Sequence, residues 1–587
     1  MLPRLFVIVL VCGGLYPGVH AGEPSTGEPS TTEAGAAEVQ GDFGLSQTAA
    51  KHLGDPATAL ISEDALRGHI RFLADDLLEG RGPGSRGDEL TRLYIATQLQ
   101  SLGYTPAAAD GSWVQPVPMI GVTTQPPGSV SIQTRRGGDD GDRGDVVWQT
   151  VEDAMWTIGR PVESVSLDDA AMVFVGYGIQ APQYDWDDYK DVDVRGKVIV
   201  MLNNDPSDDP ELFEGKRRLY YGRWDYKYES AARAGAAAAI IIHTTPSAGY
   251  PWQVVQTSWA GEEFELAGVE GPRVDVKAWA TEAAVKRLFD SCGMDLDACV
   301  AKANRRDFRP IDIPATLSVD LSAEVRRQDT ANVFGKWVGS DPTLASEHVI
   351  LMAHHDHLGI GTRDENGDAI YNGAIDNASG TASLLTMARA FASLPEPPRR
   401  TIFVAAVGAE EQGLLGSKYM AAEPPVAPGK MAALINMDGV NNIGRTRDVN
   451  VIGYGKSSMD GLVAAVAQSQ NRVVTPDHFP DRGYYYRSDQ FSLAKIGVPA
   501  VYLHTGTNVL NRPPGWGKEQ LDQWVENTYH QPSDEYMASW NLEGAVEDVR
   551  LLFTVARLAA DGDAMPRWNA GDEFEAARKE ALERVAQ

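Results

Sequence analysis

The sequence predicts an α/β fold: a mostly parallel sheet flanked by helices, with a smaller β-rich domain inserted into it. Strand-length apolar runs alternate with helix-length runs from Asn332 onward, the pattern of a parallel sheet covered on both faces. A separate group of apolar strands lies between about Ser166 and Pro314. The 587 residues exceed what one hydrophobic core usually organises, so two or three domains are expected.

Taken in order, MLPRLFVIVLVCGGLYPGVHAGEP carries Arg4, an apolar run from Leu5 to Leu15, and small residues up to Val19-His20-Ala21. It reads as a secretory signal peptide over 1–21, cleaved near Ala21, because the apolar run is too short to span a bilayer. An anchor helix and a lipidated Cys12 are the competing readings; Val11 stands where a lipoprotein signal wants a small residue. Residues 22–58, with GEPST repeated, form a disordered leader. The N-terminal part of the main domain covers 59–165. It opens with a Ser62-capped helix, SEDALRGHIRFLADDL, then a glycine-rich loop from Gly80 to Gly87 and a second helix closed by Gly103. Val114 to Trp156 alternates like short strands. The insert covers 166–314. Its buried strands are AAMVFVGYGI, RGKVIVML and AAAAIIIH, and Tyr228 to Ala234 forms a helix between the last two, a crossover unit. With no catalytically spaced cluster of His and carboxylates, it reads as a recognition or lid module. Strands HVILMA, RRTIFVAAV, MAALINM, VNVIGY and VPAVYL belong to the main domain, 315–565, with helices at 378–394, 461–470 and 544–560; 566–587 is a tail.

Lys and Arg number 52 against 81 Asp and Glu, a net charge of −29, which argues against nucleic acid or anionic lipid as a partner. No internal segment comes near the roughly 20 apolar residues that span a bilayer, so no stable membrane insertion is expected. After signal removal only Cys292 and Cys299 remain, close enough in sequence for a local disulfide in a secreted or periplasmic protein. Without a CxxC motif, any metal has to be held by His and carboxylates.

Such residues follow the strands. The first main-domain strand ends in His354-His355-Asp356-His357, a loop leads to Asp376-Asn377 before a helix, the second ends in Glu410-Glu411, the third in Asp438, and His530 comes after the last. In parallel sheets ligands bind beyond the carboxyl ends of strands. Two imidazoles and three carboxylates suit a pair of divalent ions, and a further carboxylate is needed to take a proton from water. Asp376 and Asp438 also fit as simple caps, and His355 and His357 as structural histidines. Asp364-x-Asn366-x-Asp368 reads as a polar turn, lacking the closing Glu of a calcium loop. There is no G-x-S-x-G elbow, H-E-x-x-H helix or P-loop.

The motifs AHHDHLG, NGAIDNASG, AEEQGLLGS, INMDGV, RSDQF and YHQPSDE resemble, in order, those of the zinc exopeptidases related to glutamate carboxypeptidase and bacterial leucyl aminopeptidase, metallopeptidase family twenty-eight. The resemblance runs from about 60 to 575. It implies two Zn2+ ions, with Co2+ or Mn2+ as substitutes. His354 and Asp438 would hold one, Glu411 and His530 the other, and Asp376 would bridge them. It further implies Glu410 as general base, Asp356 orienting His354, and Tyr485, three positions before Ser488-Asp489, as an oxyanion donor. Gln490 stands where relatives often carry His, which puts substrate contacts in question. FVGYGI, WDDY and RGKVIVML resemble a protease-associated domain. The expected activity is therefore hydrolysis of N-terminal peptide bonds. A carboxypeptidase or dipeptidase served by Arg482 and Arg487, a one-metal glutaminyl cyclase and a non-enzymatic receptor are the alternatives.

Overall fold

The computed structural model describes residues 52, 54–136, 142–207, 209–210, 212–269 and 271–586. The expected signal peptide and nearly all of the leader lie outside them. Helix α1 (Glu63–Leu73) begins where Ser62 accepts a hydrogen bond from the Ala65 amide, filling one of the orphan donors of the first turn. It buries Leu66, Ile70 and Leu73 as one stripe.

Strand β1 (Val114–Gln125) precedes the strands expected to form the insert. There Val198–Leu202, the helix Trp224–Arg233 and Ala238–His243 form the expected crossover: the two strands pair in parallel, and Val276–Thr281 joins them, also parallel. Helix α2 (Trp252–Ser258) lies between the last two strands in the chain. Strand β2 (Ile311–Trp337) then runs for 27 residues. It pairs antiparallel with Ser164–Phe174 and with the whole of β1, Val114 facing Val333. The boundaries expected at 166 and 314 mark no break. The second core mixes Val130, Ile132, Trp148 and Trp156 with Phe174, Ile240 and Phe289, and β2 passes uninterrupted through residue 314. Alternation is a local signal and does not tell which core a strand serves.

The main sheet uses β3 (His348–His354), β4 (Thr401–Val407), β5 (Met431–Asn436) and β6 (Ala500–His504). Its order is β2, β4, β3, β5, β6, then Asp448–Ile452 and Val473–Pro476. The pairs among β4, β3, β5 and β6 are parallel; β2 on β4 and Asp448–Ile452 on β6 are antiparallel. Val349, Leu351, Val404 and Ala406 pack with Leu384, Phe391 and Phe553 of α3 (Gly380–Ala392) and α4 (Glu543–Asp561). Ile350, Met352, Phe403 and Ala405 pack the other way, with Met420 and Leu493. Burial on both faces explains why these strands read as unbroken apolar runs.

The tail expected at 566–587 contains a helix, Glu575–Ala586, whose buried Arg578 donates to the Met431 carbonyl at 2.9 Å. Cys292 and Cys299 are both buried and free, so the expected local disulfide is not formed. Among the described residues no helix is long and apolar enough to cross a membrane.

Candidate metal centre

Register brings the strand ends level. His354 of β3 sits opposite Val407 of β4, and Met352 opposite Asn436 of β5. The residues that follow β4 and β5, Glu410, Glu411 and Asp438, therefore emerge beside His354 at one rim. Asp376 comes from the turn before α3, through a cis bond to Asn377. The Asn377 amide stitches three segments, donating to the carbonyls of His354 (3.2 Å) and Met437 (3.0 Å) and accepting from the amides of Gly380 and Gly439 (2.9 Å each). The Asp534 carboxylate holds the same turn by accepting from the Ile375 and Asp376 amides, at 3.1 Å each.

The expected residues converge. Asp376 places Oδ1 3.3 Å from His354 Nε2 and Oδ2 3.4 Å from His530 Nε2. Asp438 Oδ1 lies 3.4 Å from His354 Nε2, and Glu411 Oε2 lies 3.0 Å from His530 Nε2. Glu410 Oε2 is 4.0 Å from His354 Nε2. Donor atoms of His354, Asp376 and Glu411, and of His354, Glu410 and Asp438, lie within 4.8 Å of one another, as one ion requires. The Nε2 atoms of His354 and His530 are buried and carry no well-directed hydrogen bond. Buried imidazole nitrogens that face carboxylates could serve as the donor set of a divalent ion. His530 adopts φ +57°, a left-handed backbone that is costly for a non-glycine residue and recurs at functional sites.

Electrostatics follow the crowding. Burial opposes charge on His354, but Glu410, Asp356, Asp376 and Asp438 outweigh it and push the imidazolium well above its ordinary value. Burial likewise works against His530, yet Glu411 and Asp376 raise it to about 9. Burial, with Glu411 and Asp438 close by, drives Glu410 well above the usual carboxylate range. For Glu411, burial and Asp376 push up, but His530 and His357 bring it down to about 2. One carboxyl of the adjacent pair thus holds a proton readily and the other does not.

Asp356, fully buried, accepts from the Glu410 amide at 3.1 Å and the Glu411 amide at 3.3 Å, and its Oδ1 is 3.7 Å from His354 Nδ1. It holds the glutamate pair as well as facing the histidine. His355 pairs with Asp88 at 3.0 Å, and His357 Nδ1 with Glu411 Oε1 at 2.6 Å. Asp364 closes its own loop by accepting from Asn366 and Asp368 amides, a polar turn.

Tyr485, expected as an oxyanion donor, packs into the core. Its ring packs on Phe574 at 6.0 Å, with the Lys456 ammonium 5.1 Å away, and its hydroxyl is buried. The cavity beside Asp376, Glu410 and Asp438 is lined instead by Tyr484. Tyr484–Tyr486 form a 3-10 turn in which successive side chains point about a third of a turn apart, so spacing alone does not say which one faces in. Gln490 does not line the cavity either. It accepts from Asn436 Nδ2 at 2.8 Å and donates to the Tyr485 carbonyl at 2.6 Å, tying β5 to that turn.

Three further residues contact the candidate ligands or the segments that carry them, and the sequence marks none of them. Arg81 is buried, with a guanidinium that reaches the carbonyls of Leu73, His355, Asn372 and Gly373; its only signal was a charge inside a glycine-rich loop. Asp534 lies within YHQPSDE, and the motif alone gives it no role. Ser258 Oγ lies 2.9 Å from His530 Nδ1, and nothing in its sequence context marked it. The cavity itself, about 460 Å³, has Asp376, Glu410 and Asp438 at one side and Phe479, Leu521 and Trp524 among its apolar walls. Arg487 also lines it, 5.3 Å from the rings of both Tyr250 and Tyr484.

Residues 332–554 match the profile of Peptidase family M28. That segment belongs to peptidase family M28. It carries all five expected metal ligands and Glu410. A probable zinc metalloprotease of Pyrenophora teres f. teres is 43% identical to this chain over 219 residues, 34% of this chain and 46% of the relative. Another, from Pyrenophora tritici-repentis, is 43% identical over 95 residues, 16% of this chain and 21% of the relative. The chain thus spans less than half the length of these relatives. Among solved structures, the aminopeptidase from Aneurinibacillus sp. strain AM-1 aligns with TM-score 0.49 and 19% identity over 86% of this chain and 95% of that one. BSAP, a zinc aminopeptidase from Bacillus subtilis, aligns with TM-score 0.43 and 16% identity over 87% and 98%.

Proposed function

We propose that this chain is a two-zinc exopeptidase that removes N-terminal residues from peptides. One observation carries the reading: Asp376 presents one oxygen to each of two buried imidazole nitrogens, at 3.3 and 3.4 Å, with a second carboxylate beside each. His354, Asp438 and Asp376 would hold one ion, and Glu411, His530 and Asp376 the other. Bound zinc supplies Lewis acidity toward a peptide carbonyl and makes water more acidic. Glu410 takes the proton of the attacking water and delivers it to the leaving amine. Asp356 holds the backbone of the glutamate pair so that the two carboxylates diverge. The oxyanion role implied for Tyr485 passes to Tyr484, the neighbouring phenol that lines the cavity.

The insert is proposed to act as a protease-associated module that walls one side of the centre, supported by the second cavity, where Val255, Ser258 and Trp259 face Glu411 and His530. Export after cleavage near Ala21 belongs to the same proposal and rests on the N-terminal sequence. Arg487 supports a second reading. It lines the cavity and, among the described residues, has no carboxylate ion-pair partner, so it suits a substrate carboxylate as a dipeptidase or carboxypeptidase would need.

The test is hydrolysis of aminoacyl anilides, their N-acetylated forms, and dipeptides with free or amidated C-termini. Loss of activity with chelator, recovery with zinc, and a requirement for a free amine support the aminopeptidase. A requirement for a free carboxylate selects the dipeptidase or carboxypeptidase. Turnover indifferent to chelator removes both.

A further inference from the structure

The insert reaches into the metal centre at one point. Ser258, the last residue of α2, places Oγ 2.9 Å from Nδ1 of His530, 272 positions away in the chain. The other nitrogen of that ring, Nε2, is 3.0 Å from Glu411 and 3.4 Å from Asp376. One imidazole therefore spans from the carboxylates of the main domain to a hydroxyl of the insert.

The placement of α2 is built from several contacts. The Trp252 indole donates to the Val151 carbonyl at 2.9 Å, Gln253 Nε2 donates to the Glu526 carbonyl at 3.1 Å, and Val254 and Val255 are buried. The Gln253 bond crosses to the segment that leads into His530. The Arg218 amide crosses nearby, donating to the Pro480 carbonyl at 2.9 Å.

Chemistry assigns the direction of the Ser258 bond. An imidazole that ligates through Nε2 commits that lone pair, so its single proton sits on Nδ1. Nδ1–H then needs an acceptor, which fixes the tautomer and the ring plane. Ser258 Oγ is in that position. The Tyr529 ring stacks 3.9 Å from the His530 ring and restrains it from the side but offers Nδ1 no acceptor in that geometry.

We propose that Ser258 is a positioning residue for His530, so that the inserted module completes the metal centre and one of the two ions is held well only when α2 is docked. This rests on the two-zinc reading. It predicts that the insert couples substrate access to metal retention on the His530 side, leaving the His354–Asp438 side untouched.

The experiment titrates the metal-free full chain with zinc against a chromogenic chelator, and with Co2+ followed by its visible bands. Wild type is expected to take two ions. Ser258→Ala is expected to weaken one of them by roughly 10- to 100-fold, shift the Co2+ bands of that ion alone, and leave the other ion and the metal-free unfolding midpoint unchanged. Ser258→Thr, which keeps the hydroxyl, is expected to restore both. Unchanged zinc binding in Ser258→Ala overturns the proposal while leaving the two-zinc reading intact. Equal weakening of both ions with a lowered metal-free midpoint also overturns it, because the residue is then only structural. A wild-type chain that takes fewer than two ions overturns the two-zinc reading and the proposal together.

Discussion

Replacing Arg81 by Met is expected to cost both stability and metal binding. Arg81 is 1% exposed. Nε donates to the His355 carbonyl at 2.9 Å, Nη1 to Leu73 and Asn372 at 2.6 Å each, and Nη2 to Gly373 at 3.0 Å. His355 adjoins the proposed ligand His354, and Asn372-Gly373 begins the turn that carries Asp376, so one side chain clamps together two segments of the candidate centre. Burial lowers its pKa to about 10, but Asp356, Asp534 and Asp376 favour the charged form, and the group stays a cation at neutral pH. Hydrogen bonds from a charged donor contribute roughly 1.5–3 kcal/mol each, against a desolvation cost of several kcal/mol for the guanidinium. Met removes that cost along with the bonds but strands four buried carbonyls, at about 1 kcal/mol each if the loops relax and more if they do not. A loss of roughly 4 kcal/mol is a large share of the ~5–15 kcal/mol that holds a domain folded. Urea denaturation of the metal-free chain measures it, and zinc titration measures the local consequence. Arg81→Lys keeps the charge without the fork and should recover part of both. An Arg81→Met chain with wild-type midpoint and wild-type zinc affinity would refute the clamp.

Glu410→Gln should bind zinc normally and lower kcat by roughly 10²–10⁴-fold, the range for loss of a general base; near-normal turnover sinks that role. Tyr484→Phe should reduce kcat/KM while Tyr485→Phe, altered only in the core, leaves it nearly unchanged, and the opposite ranking in steady-state assays would return the oxyanion role to Tyr485. His530 titrates at about 9 in the metal-free fold, above the ~6.5 of an unfolded chain, so its stabilising contribution is complete below about 6.5 and disappears as pH rises through 9. The shift corresponds to about 3 kcal/mol, and urea midpoints of the metal-free chain at the two ends of that window should differ in this direction. For the same reason zinc uptake at neutral pH should release protons, with affinity rising as pH increases toward 9; calorimetry in two buffers of different ionisation enthalpy that shows no proton release contradicts it.

The parallel sheet, its helices and the level rim of metal-type residues were legible in the linear chain, because strands buried on both faces leave unbroken apolar runs, and chemistry at their carboxyl ends follows directly in sequence. His354, Glu410, Glu411 and Asp438 are each within a few residues of a strand whose apolar run announces it. What lies across loops was not legible. The three tyrosines 484–486 are equivalent in sequence, and only packing against Phe574 turns Tyr485 away from the cavity. Nor was the pairing of β2 legible, since it reaches back from Ser322–Val333 to Val114–Gln125. Arg81 and Ser258 act through contacts with residues 274 and 272 positions distant. Local periodicity reports which side of an element is buried. It carries no record of what the other side of that burial is, so Asp376 between two imidazoles and Ser258 behind one of them become visible only in the fold.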